Sequence, residues 1–366
     1  MSMNIETIEH KVQKKERISE EEALFLFQTQ DIHALGRMAN TIRQRWNGNK
    51  AFYVVNRHIN YSNVCIDSCR FCAFSRKARE EGGFTYTIEE MLEKGREGSE
   101  AGATEFHIVG GLHPHLPYEY YLELLQAFKS RFPNIVLKCF TAVEISHLAK
   151  RTKKTIAEVL REFIAAGLDF LPGGGAEVFS ERVRDEVCPN KLYVKEWIDV
   201  HTAAHQLGLK TNATMLYGHI EKPVEIIEHL RFLREGQDQS GGFVTFIPLK
   251  YQPENNQLGG RLCSGLKDLR VHAISRIYLD NVPHLKAYWT MLGIKCAQTM
   301  LLYGADDFDG TVIDEKIVHM AGSPSPKVLT VSKIQRLIRE TGLEPIERDT
   351  FFQPFNRNEP LPAAIL

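Results

Sequence analysis

From residue 51 onward the chain alternates short β-type runs with stretches of helical spacing, and this alternation limits the fold more than any other feature. The β-type runs fall at 52–60, 105–110, 135–143, 168–172, 210–216, 243–249, 285–288 and 308–313. Helical spacing fills 87–101, 118–131, 155–166, 193–207, 223–235, 266–279 and 290–303, and a last helical stretch lies at 331–341. Strands that alternate with helices pair in parallel, because each helix carries the chain back to the same end of the sheet. Eight such units predict an α/β fold, a TIM-type (β/α)8 barrel, with a six-stranded partial barrel as the fallback if the last two runs do not pair. Residues 1–50 lie outside the pattern and read as a helical N-terminal extension, in which Ser19 and Glu22 form a capping box. The barrel is expected over 51–322. Residues 323–366 are expected to add a C-terminal helix and an irregular tail packed on the barrel.

Strand periodicity also assigns faces, since successive side chains point to opposite sides. In the first strand Val55, Arg57 and Ile59 point outward, and Asn56, His58 and Asn60 point into the lumen. In the second, Phe106 and Ile108 point outward, and Glu105 and His107 inward. In the fifth, Ala213 and Met215 point outward, and Asn212 and Thr214 inward. A barrel that is only structural fills its lumen with branched aliphatics. Polar groups in a closed interior need partners, so these either satisfy one another and buried water or surround a polar ligand. Taken together they favour a polar-ligand cavity.

Charge narrows the partners. Lys and Arg total 45 against 46 for Asp and Glu, which gives no reason to expect nucleic acid or an anionic membrane. There is no signal-peptide pattern and no run of about 18 apolar residues, so a cytoplasmic location is expected. Thiols there stay reduced, and the seven cysteines are an odd number in a large core-forming chain. Clustered thiols in that setting point to metal or redox chemistry rather than disulfides.

The cluster is Cys65-Ile66-Asp67-Ser68-Cys69-Arg70-Phe71-Cys72, directly after the first strand. Its spacing, C-x3-C-x2-C, brings three thiolates into one loop. A cubane iron–sulfur cluster held by three cysteines leaves one iron open to another ligand. Zinc is the alternative, but it wants a fourth ligand and commonly a second Cys or His pair. Cys139, Cys188, Cys263 and Cys296 stand alone, and only His58 lies nearby in sequence.

This loop, at the end of the first strand of an α/β barrel, resembles the signature of the radical S-adenosylmethionine (SAM) enzymes. The resemblance implies a 4Fe-4S cluster on Cys65, Cys69 and Cys72, with SAM chelating the open iron and yielding methionine and a 5′-deoxyadenosyl radical. It implies that Gly110 and Gly111 approach the methionine amino group, where an ordinary strand-to-loop turn is the other reading. It places Phe71 near the adenine. Glu144, at the end of the third strand, resembles the carboxylate that holds SAM, with a surface salt bridge as its alternative. Gly173-Gly174-Gly175 does not match a dinucleotide fingerprint.

Longer strings are similar to the radical enzymes of the futalosine route to menaquinone: Asn56 to Tyr61, Phe106 to Pro114, Thr141 to Ile145, Pro172 to Glu177 and Asp306 to Thr311. Val109 and Thr141-Ala142-Val143 place the chain with the synthases of that route rather than the cyclases. Lys250-Tyr251-Gln252-Pro253 departs from the Ala-Phe-His-Pro expected there. The implied activity is a transferase reaction that forms a carbon–carbon bond. In it the radical adds to the enol-ether double bond of 3-[(1-carboxyvinyl)oxy]benzoate, and a carboxyl group leaves as bicarbonate. SAM is then a consumed cosubstrate, and the implied electron donor is a protein such as flavodoxin or ferredoxin. The substrate carries two carboxylates, and His58, Asn60, His113, Asn212 and Thr214 are the groups expected to meet them. A neutral core histidine is the other reading of His58.

Overall fold

The computed structural model describes residues 4–357. It opens with three helices, α1 (Ile5–Gln13), α2 (Glu20–Gln28) and α3 (Ile32–Asn47). Asn4, Ser19 and Asp31 cap them, each accepting an N–H of the first turn that has no partner within the helix. The barrel elements follow: β1 (Lys50–Val54), β2 (Asn56–Ile59), α4 (Ile88–Glu100), β3 (Glu105–Ile108), α5 (Tyr118–Arg131), β4 (Val136–Cys139), α6 (Ala142–Thr152), α7 (Ile156–Ala166) and β5 (Phe170–Leu171). The second half comprises α8 (Glu181–Val187), α9 (Val194–Gln206), β6 (Lys210–Tyr217), α10 (Pro223–Ser240), β7 (Phe243–Lys250), α11 (Gly265–Tyr278), β8 (His284–Leu285), α12 (Trp289–Leu292), α13 (Ile294–Met300) and β9 (Asp307–Gly310). After it come α14 (Ile317–Met320), α15 (Val331–Arg339) and β10 (Glu344–Glu347). The N-terminal helices rest on the barrel's outer layer, α3 on α11 and α2 on α10 and α11.

Strands β2 to β8 form one curled, parallel, seven-stranded sheet in chain order. The eighth expected run, β9, pairs with both of its edges. On the β8 side, Ala287 N–H donates to Asp307 O at 2.7 Å and Asp306 N–H to Leu285 O at 3.0 Å. On the other side, Thr311 N–H donates to Val54 O at 3.1 Å and His58 N–H to Ile313 O at 3.0 Å. The first strand is split at Val55, whose carbonyl accepts Thr104 N–H at 2.9 Å. Its lower half pairs with β9 and β10, and its upper half with β3.

Outward-facing Phe106, Ile108, Leu137, Ala213, Met215 and Phe246 are buried under the helices. Removing one such large side chain from water stabilises the fold by about 1.5–3 kcal/mol. Three expectations need correction. The run 135–143 ends as a strand at Cys139, because Thr141 and Glu144 start a helix there. The stretch 290–303 breaks into α12 and α13 at Gly293, whose φ is 80°. The tail is not wholly irregular, since β10 adds an outer strand to β1. The rest of the tail, 358–366, lies outside the described residues.

Candidate active site

At the C-terminal ends of the strands the lumen widens into a cavity of about 340 Å³, within the range of small-molecule sites. Cys65, Cys69 and Cys72 are free, half-buried and share its lining. Leu112 N–H points to Cys65 Sγ at 3.3 Å, and Ser75 N–H to Cys72 Sγ at 3.4 Å. Such donors stabilise a thiolate. Burial pushes the Cys65 and Cys69 thiols up, so an electrophilic centre must displace their protons in order to bind. Among the described residues no three His, Cys, Asp or Glu side chains converge closely enough to hold a single ion. The three thiols and their N–H donors fit a three-cysteine cluster.

Backbone of the second-strand loop presses against the cysteine loop. A Cβ on Gly111 would lie 2.3 Å from Val64 O, and one on Gly110 2.6 Å from the Tyr61 ring. The glycines are therefore required by contact between the two loops, and both also line the cavity. Glu144 sits on the third residue of α6, in a capping box with Thr141, and not at a strand end. Its Oε1 accepts Tyr61 OH at 2.8 Å and Gly110 N–H at 3.1 Å. Its Oε2 accepts Thr141 N–H at 2.6 Å and Thr141 Oγ1 at 2.8 Å. A carboxylate has about four acceptor sites, so Glu144 is saturated by the protein and fixes Gly110 in place.

The structure brings His58, Asn60, Asn212, Thr214 and Phe71 to the same cavity. Asn60 Nδ2 donates to Val109 O at 3.1 Å, and its buried Oδ1 has no partner among the described residues. Thr214 donates to Gly173 O at 2.6 Å and so holds the triple-glycine loop. His58 stacks on His107 with centroids 4.6 Å apart. Burial lowers the pKa of both rings, so each is neutral near pH 7. Asn56 Oδ1 accepts Val312 N–H at 2.9 Å, which directs its Nδ2 toward His58 Nε2 at 3.5 Å. An amide nitrogen only donates, so the His58 ring proton is on Nδ1. His113 is outside the cavity lining. Its Nδ1 accepts the N–H groups of His115 at 3.1 Å and Leu116 at 2.9 Å, a turn-forming role that removes it from the expected substrate contacts.

Beneath these groups lies an ionic lattice that the sequence reading missed. Lys138 pairs with Glu105 at 2.8 Å, Arg348 with Asp307 at 2.6 Å, and Lys286 with Asp309. Three buried cations balance three carboxylates, as charges removed from water require. Burial alone would favour neutral Glu105, but Lys138, Arg348 and Lys286 hold it below the usual carboxylate range. Asp309 has φ 71° and leaves Oδ2 unpartnered among the described residues. Strand parity could have placed Lys286 and Tyr288 on one face, whereas nothing local marks Lys191 or Glu177, which also line the cavity. At the departing tetrapeptide, Lys250 pairs with buried Asp268 at 2.6 Å, and Tyr251 and Gln252 reach the cavity.

Residues 59–233 match the family model of the radical SAM superfamily, and 240–361 match the CofH/MqnC C-terminal region. The chain is 44% identical to aminodeoxyfutalosine synthase of Thermus thermophilus over 351 residues, covering 94% of each chain. It is 41% identical to a 5-amino-6-(D-ribitylamino)uracil–L-tyrosine 4-hydroxyphenyl transferase of Methanopyrus kandleri, over 88% of this chain and 89% of that one. The crystal structure of methylornithine synthase superposes with a TM-score of 0.74 at 18% identity, covering 92% of this chain and 97% of the other. No helix among the described residues is long and apolar enough to cross a membrane.

Proposed function

The chain belongs to the radical SAM superfamily, and from that premise we propose that it catalyses the aminodeoxyfutalosine synthase reaction of menaquinone biosynthesis. In that reaction the 5′-deoxyadenosyl group of SAM joins 3-[(1-carboxyvinyl)oxy]benzoate, with rearrangement and loss of bicarbonate. The observation that carries the proposal is that Cys65, Cys69 and Cys72 line one cavity together with the polar groups of His58, Asn60, Asn212 and Lys286, in a chain 44% identical to a synthase over 94% of its length. Cys65, Cys69 and Cys72 would hold a 4Fe-4S cluster, which would supply the electron for reductive cleavage of SAM to methionine and the deoxyadenosyl radical. The electron arrives from a small flavodoxin- or ferredoxin-type protein.

The protein's own groups orient the second substrate and keep competing hydrogen donors away. The Nδ1–H of His58 and the ammonium of Lys286 suit the substrate's carboxylates, which prefer charge-assisted or N–H donors. Glu144 acts indirectly, by fixing Gly110 against the cysteine loop, and Thr214 does the same for Gly173. Ile247 and Leu249 add apolar surface to the cavity lining.

Anaerobically reconstituted protein, given reductant, SAM and the enolpyruvyl benzoate, tests this by mass spectrometry of the products. The expected result is methionine and an adenosine–benzoate adduct in equal amounts. Methionine with only free 5′-deoxyadenosine would overturn the substrate assignment, and it would send the search to the tyrosine and cyclisation substrates of the relatives.

A further inference from the structure

Lys191 is a further cation in the cavity lining, in addition to Lys286 and Lys138, and lies close to the cysteine loop. It follows α8 and its side chain is only 16% exposed. Its Nζ lies 2.6 Å from Glu177 Oε1 and 5.1 Å from the Phe71 ring centroid, and Phe71 immediately precedes Cys72. Burial opposes its charge, and the ion pair with the Glu177 carboxylate favours it. Glu177 holds its position through a left-handed backbone (φ 49°) and a bond from Leu216 N–H to its carbonyl at 2.9 Å. Arg70 N–H donates to Val187 O at 2.9 Å, which ties the cysteine loop to the end of α8. A fixed ammonium is thereby held against the cysteine loop, paired with a fixed carboxylate that lines the same cavity.

We propose that Lys191 sets the reduction potential of the iron–sulfur cluster and that Glu177 positions and partly offsets it. This rests on the reading that Cys65, Cys69 and Cys72 hold a cluster. One-electron reduction adds a negative charge to the cluster, and a cation nearby in a poorly screened site favours the reduced state. An anion there has the opposite effect.

The test is a redox titration of reconstituted native and variant proteins, following the reduced cluster's electron paramagnetic resonance signal against solution potential. Lys191→Met is expected to move the midpoint to more negative potential, and Glu177→Gln to more positive potential. Lys191→Arg, which keeps the charge, stays near the native value. Shifts of opposite sign are not what a general loosening of the loop would produce. Unchanged midpoints in both charge-removing variants would overturn the proposal. If Lys191→Met loads no cluster, Glu177→Gln decides alone, and a zero or negative shift overturns it. A native protein with no reducible cluster signal would instead overturn the cluster reading beneath it.

Discussion

Glu144 shows how differently one residue reads in a string and in a fold. The resemblance made it a ligand for SAM, yet Tyr61, Gly110 and Thr141 occupy all its acceptor positions. Glutamine in its place has one acceptor oxygen and cannot serve both sets of donors. Glu144→Gln should cost about 2–4 kcal/mol in a urea melt, because hydrogen bonds to a buried charged group contribute about 1.5–3 kcal/mol each. Unchanged stability with lost SAM affinity would mean that the carboxylate touches the ligand directly. For His58 the expectation is a binding effect. His58→Ala should raise KM for the enolpyruvyl benzoate about 10- to 100-fold, the loss of one charge-assisted hydrogen bond, while the affinity for SAM stays native. A KM within twofold of native would make His58 a core histidine stacked on His107 and nothing more.

At the scale of elements, the lumen was legible because strand parity is a period of two. Once Asn56 faced inward, His58, Glu105, His107, Asn212 and Thr214 followed, and all line the cavity. What parity could not show is where a strand stops. Residues 135–143 read as one β run, but Thr141-x-x-Glu144 caps a helix, and Phe140 turns the chain with φ 58°. Nor was β10 legible, since Glu344-Pro345-Ile346-Glu347 has the proline and charges of an outer strand and little β signal of its own. Lys191 reaches the cysteine loop from more than a hundred residues away, a contact that no local pattern encodes. The loop-on-loop contact makes its own prediction. A Cβ on Gly111 meets backbone at 2.3 Å, so Gly111→Ala must displace the cysteine loop. Iron content should fall by more than half while the far-ultraviolet spectrum stays native. Full iron loading would show that the loops can separate freely.

Across the whole molecule, buried histidines tie stability to pH. Burial lowers His205 and His272 from 6.5 to about 4 and His229 from 6.5 to about 3. The unfolded chain protonates these groups near pH 6.5, before the folded protein does, so their contribution is complete above that pH. It is lost as pH falls toward 4. His205 alone is worth about 3 kcal/mol over that window, at about 1.4 kcal/mol per pH unit. Denaturation midpoints should therefore drop steadily from pH 6.5 to 4, and a flat profile there would contradict the neutral, buried state assigned to the three rings. The three thiols and the buried charges meet at a single cavity, where SAM is proposed to be consumed as a building block. The most direct measurement supplies SAM labelled with carbon-13 throughout the adenosyl group, together with the enolpyruvyl benzoate, and follows the label. All of it is expected in a substrate-dependent adenosine–benzoate product; label found only in free 5′-deoxyadenosine would show that SAM is not built into the product.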